Sequence, residues 1–132
     1  MNFVYLKIPM PPKAGRHERE VHAALDQALD QALAQAGLGS LLGWGPSLAR
    51  DAVSGGLEPA FHRVDIEVTD LSPALALLRA ELLRLQAPAH TELHYTVDGE
   101  ALQQELEPQG WSASHPTTAA TARRHHGGSA AR

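Results

Sequence analysis

Residues 3–8, FVYLKI, alternate with period two: Val4, Leu6 and Ile8 fall on one side and Phe3, Tyr5 and Lys7 on the other. The alternation predicts a β-strand, closed by Pro9, Pro11 and Pro12, which have no N–H to give a ladder. The spacing then becomes helical. From Arg16 to Ala36, Val21, Leu25, Leu29 and Leu33 recur every four residues, with Ala24, Ala28, Ala32 and Ala36 on the same side. Asp26, Gln27, Asp30 and Gln31 fill the polar side, and Gly37 supplies a left-handed stop. The tandem LDQA tetrads express this amphipathicity and do not form a structural repeat.

Leu38 to Trp44 is short, apolar and glycine-containing and predicts a second strand, followed by a long connection from Pro46 to Ala60. Residues 61–69, FHRVDIEVT, predict a third strand with His62, Val64, Ile66 and Val68 inward and Phe61, Arg63, Asp65 and Glu67 outward. Ser72-Pro73 reads as an N-cap with proline at the first helical position. Leu71, Leu75, Leu78, Leu82 and Leu85 then mark a second helix that Pro88 ends. TELHYTV, 91–97, alternates Leu93, Tyr95 and Val97 against Glu92, His94 and Thr96, and Asp98-Gly99 turns the chain. EALQQEL reads as one or two further helical turns. Beyond Pro108 no apolar periodicity survives, so residues 1–107 are expected to form one α+β domain and 108–132 a disordered low-complexity tail.

The order β-α-β-β-α-β, with one apolar stripe per helix, predicts a two-layer α+β plait of the ferredoxin-like kind. Its antiparallel four-stranded sheet would carry both helices on one face, with strands one and three central and two and four at the edges. A swapped dimer of the same plait, or a fold in which the second strand is loop, are the alternatives.

Composition narrows the function. With no cysteine among 132 residues, disulfides, thiolate catalysis and Cys-ligated metals are excluded. Residues 1–108 carry eight Lys/Arg against all fifteen Asp/Glu, and the remainder only three arginines. So acidic a body does not suit a nucleic-acid groove. The outward aromatics Phe3, Tyr5 and Phe61 stand where an RNA-reading plait places its stacking residues. GLEPAFHRVDIEV lacks the matching basic-Gly-aromatic motif, and Asp65 and Glu67 would repel phosphates. No apolar run is long enough for a membrane span, and the N-terminus lacks a basic leader region, so a cytoplasmic protein is expected.

The stretch SLLGWGPSL resembles half of a phosphate loop but follows a helix, leads into a strand and lacks the third glycine. Gly43 and Gly45 are better explained by a bulge in an edge strand, which leaves Trp44 either packed over the sheet or standing at a contact surface. Eight histidines raise the question of a metal. His17 and His22 are five apart on a helix and do not share a face, and His90 and His94 straddle a strand. No metal site and no cofactor are expected, and no nucleophile elbow or catalytic triad spacing occurs.

The second helix also carries Leu77 and Leu83, with Ala76 and Ala80, outside its main stripe. These features lead to a small, acidic, non-catalytic binding module that self-associates as a homodimer or docks on a protein partner, an immunity-type protein among them. Its contacts are expected on the polar sheet face (Tyr5, Lys7, Arg63, Asp65, Glu67, His94), at Trp44, or at Leu77 and Leu83. One alternative is a small-molecule sensor in which the PMPPKAG loop and the Trp44 loop flank a pocket at a dimer junction. A second is a small enzyme using the sheet-face carboxylates.

Overall fold

In chain order the elements are β1 (Asn2–Pro9), α1 (Arg16–Ala36), β2 (Gly39–Arg50), β3 (Leu57–Val68), α2 (Leu71–Arg84) and β4 (Glu92–Val97). After these come β5 (Glu100–Glu107), β6 (Gly110–Trp111) and β7 (His115–Pro116). The computed structural model describes residues 1–10, 16–50, 55 and 57–117. It is an α+β fold whose two helices accompany a seven-stranded sheet of order β2-β3-β1-β4-β5-β6, with β7 also on β5. All pairings are antiparallel. Strands β1 and β3 are inner strands, as the sequence predicts.

The sheet is larger than the expected four strands, and β4 is not an edge. Asp98 and Gly99 adopt left-handed φ values of 51° and 80°. That is the chemistry of a two-residue hairpin turn whose twist matches its flanking strands. The turn returns EALQQEL along β4 as β5, so these residues are strand and not helix, with Leu102 opposite Tyr95 and Gln104 opposite Leu93. Residues 108–117, assigned by sequence to the tail, continue the sheet. Trp111 pairs with Leu106, and its indole Nε1–H donates to the Arg79 carbonyl of α2 at 3.1 Å. Residues 118–132 lie outside the described residues.

The core is one cluster. Val4, Leu6 and Ile8 of β1 and Val64, Ile66 and Val68 of β3 meet Leu25, Leu29 and Leu33 of α1 and Ala74, Leu75, Leu78 and Leu82 of α2. Burial of this kind contributes about 25 cal/mol per Å² of apolar surface. Two helix details differ from expectation. The N-cap of α2 is Asp70, without a side-chain cap bond, two residues ahead of Ser72. In α1, each four-residue step advances about 40° around the axis, because the helix repeats every 3.6 residues. A stripe begun at Val21 therefore drifts: Val21 is half exposed, while His22 and Asp26 enter the buried face from the other side. Asp26, placed on the polar side by sequence, is 3% exposed.

Strand β2 is longer than LLGW and runs through Pro46 to Arg50, and β3 begins at Leu57, so both strands extend into the expected connection. The predicted bulge is present as a register shift against β3 between Leu41 and Gly43, with a second between Ser47 and Leu48. Gly39 is required where α1 hands over to β2, because a β-carbon there would collide with the Glu67 carbonyl oxygen.

Candidate functional site

Three inward-facing polar groups meet between α1 and the β2–β3 pair. His22 and Asp26 are one helical turn apart on the buried side of α1, an i, i+4 pair that shares a face. His62 is on the inward face of β3, opposite Ile8 of β1 and Pro46 of β2. Its Nε2 lies 2.9 and 2.8 Å from the two carboxylate oxygens of Asp26, and both residues are buried. An ionised carboxylate only accepts, so Nε2 carries the hydrogen and donates it. In the neutral ring Nδ1 is then the basic nitrogen.

His22 stacks face to face on His62, with ring centroids 4.5 Å apart and the planes parallel. Burial is the main cause that pushes the His22 pKa below the ordinary histidine value, with repulsion by His62 second; Asp26 and Glu18 act in the opposite sense. Two stacked imidazoles favour at most one positive charge, and burial disfavours that charge on His22. Its Nδ1 is buried and has no hydrogen-bond partner among the described residues. A buried nitrogen left unpaired costs about 1–3 kcal/mol.

These three side chains form one side of a cavity of about 300 Å³, whose other walls include Met10, Ala23, Trp44 and Pro46, with Arg19 also lining it. Trp44 is 63% exposed although it pairs with inner Val64 across the ladder. The bulge and the glycines on either side hold it there. A second cavity of about 300 Å³ continues along α1 past Trp44 to Asp30 and Leu41. There the Asp30 carboxylate accepts the Leu41 N–H at 3.0 Å, tying α1 to the edge strand.

The sequence-predicted contact residues divide into three places. Tyr5, Lys7, Arg63, Asp65 and His94 come together on the sheet face turned away from the helices, and they engage each other. Tyr5 stacks on His94 at 4.5 Å, the Arg63 guanidinium lies 4.0 Å over the Tyr5 ring, and Arg63 pairs with Asp65 at 2.8 Å. His94 bonds Glu92 at 2.9 Å, and the Lys7 ammonium sits 4.1 Å over the Phe61 ring. Lys7 and His94 are buried, so this face is knitted into the structure. Glu67 stands apart from that group, opposite Phe3 on β1 and Ser40 on β2. Trp44 belongs to the helix-side cavity. On α2, Leu83 is exposed, whereas Leu77 is half-buried and packs against the core cluster.

Sequence reasoning missed His22 and Asp26 as site residues. The signal was present in their i, i+4 spacing and in the inward alternation of His62, but the helix phase set from Val21 hid it. Among the described residues, no group of three or more histidines and carboxylates is arranged to hold a metal ion, and no helix is long and apolar enough to cross a membrane. Comparison with known proteins finds no matching family model, curated protein or solved structure.

Proposed function

We propose that the first four strands and two helices are a ferredoxin-like plait, and that the chain binds a small, flat, largely apolar molecule between α1 and β2. The observation that carries this reading is the cavity of about 300 Å³ with buried Asp26, His62 and His22 on one side and exposed Trp44 on the other. Small-molecule sites have this make-up: mostly apolar walls with a few converging polar groups. Met10, just beyond β1, and Pro46 of β2 line the cavity and add to its apolar surface.

The test is a thermal-shift and tryptophan-fluorescence titration of the chain with planar aromatic compounds of one or two rings. A ligand that binds only the native state raises the melting temperature with its concentration. Trp44→Leu is expected to weaken such binding about tenfold or more while the apo protein melts as before. Ligand-induced stabilisation that survives unchanged in Trp44→Leu would remove the site from this cavity.

Self-association is the second reading, favoured by the bare edge of β2. Leu42 and Trp44 are both exposed there, and Gly39 to Ala49 carry no charge in a chain of net charge −4. An antiparallel edge is self-complementary, so a second copy is the partner it fits. Sedimentation showing a concentration-independent monomer would end this reading and leave the cavity reading untouched.

A further inference from the structure

We propose that the cavity takes a planar aromatic carboxylate, with its rings against Trp44 and its carboxylate on Arg19. The inference rests on the small-molecule reading above and names the class of its ligand. Arg19, His22, Ala23 and Asp26 follow one another at three- and four-residue steps, so they form one face of α1, and all four line the cavity. Its two charged members differ in what they can still bind. Asp26 is buried, with both carboxylate oxygens on His62 Nε2 at 2.9 and 2.8 Å. Arg19 is exposed, and among the described residues it is paired with no carboxylate. The charged group still open to a ligand is therefore a cation.

A guanidinium presents parallel N–H groups that match the two oxygens of a carboxylate. Asp26 follows Arg19 by two helical turns, about 10 Å along the axis, so a carboxylate at Arg19 stands clear of its charge. One arginine also matches a monoanion. A phosphate dianion would bring a second negative charge to a cavity that already holds Asp26, in a chain of net charge −4. An organic cation would meet the opposite obstacle, with Arg19 repelling it and Asp26 engaged by His62. Trp44, Met10 and Pro46 supply the aromatic and apolar surface for the rings.

The probe is 2-naphthoate, with 2-naphthamide as the uncharged control on the same rings, and both affinities are measured by calorimetry at neutral pH and low salt. Naphthoate is expected to bind roughly fivefold more tightly, the scale of an exposed charge pair, and the margin should narrow as salt is added. Arg19→Gln, a change at an exposed position, is expected to bring the two affinities together by weakening naphthoate alone. Arg19→Lys keeps the charge without the fork and should retain part of the margin. Trp44→Leu is expected to weaken both compounds alike. Equal affinities in the parent chain, or a margin that survives Arg19→Gln, would overturn the proposal while leaving the cavity a binding site. Naphthoate binding indifferent to Trp44→Leu, or failure of both compounds to bind at millimolar concentration, would overturn it together with the reading it rests on.

Discussion

The two helices share one core but differ in what they bury. Helix α2 buries only Ala74, Leu75, Leu78 and Leu82, and Trp111 closes over it from the C-terminal strands with a bond to the Arg79 carbonyl. Helix α1 buries Leu25, Leu29 and Leu33, but sets His22 and Asp26 beside them and leaves a cavity against β2. One side of the molecule is sealed by packing. The other is held partly by polar groups whose removal leaves partners unsatisfied. The contrast teaches where to look for chemistry: in the helix that gives up apolar burial at two positions, not in the one that fills every buried position with carbon.

The comparison can be broken most severely on the sealed side. Leu78→Ala removes a fully buried side chain from the α2 face, and truncation of this kind costs about 2–5 kcal/mol. Urea denaturation should show that loss, while the remaining folded protein keeps its affinity for any cavity ligand.

On the polar side the expected loss is smaller and can be reversed. Asp26→Leu leaves Nε2 of His62 buried without its acceptor, a cost of about 1–3 kcal/mol. Adding His62→Leu removes the stranded donor and restores stability to near the parent value, since buried polar pairs replaced by apolar residues are often neutral. Ligand binding would be lost in both. A double variant less stable than Asp26→Leu would mean that the pair holds the fold and not a site.

The pH dependence also belongs to α1. Burial keeps the folded-state pKa of His22 below the ordinary histidine value of about 6.5, so the unfolded chain takes up this proton first. The stability that neutral His22 confers is therefore complete above about pH 6.5 and declines as the pH falls toward the folded-state value. His22→Phe keeps a ring stacked on His62 and should flatten that decline, which melting curves across mildly acidic pH would detect. The smallest effect is expected at Trp44, where replacing an exposed side chain with leucine shifts stability by no more than about 0.5 kcal/mol. The half-buried Trp111, changed in the same way, forfeits its indole hydrogen bond, a net contribution of about 0.5–1.5 kcal/mol.

Much of this was legible before any coordinates. Period-two alternation located β1, β3 and β4, recurrences of three and four residues located both helices, and Gly43 announced the bulge. The misreadings have specific causes. LQQEL in β5 carries no strong strand former, and only the Asp98-Gly99 turn, acting with a neighbouring strand, makes it extend. The residues around Trp111 are too few for any period to appear. Tyr5, Lys7, Arg63, Asp65 and His94 were grouped correctly on one face, since alternation fixes faces. Their mutual engagement was not legible, because it depends on the register between β1, β3 and β4.

By itself, then, the sequence determined which residues face inward along β1, β3 and β4, because that follows from local alternation. It determined that His22 and Asp26 share a helical face and that His62 points into the core. Only the tertiary structure decided that these faces meet at the same level, joining residues 36 positions apart at 2.8 Å. It also decided that Trp44 stands out at the edge beside them. Helix phase against the sheet is set by packing the whole core at once, and no single segment contains that information.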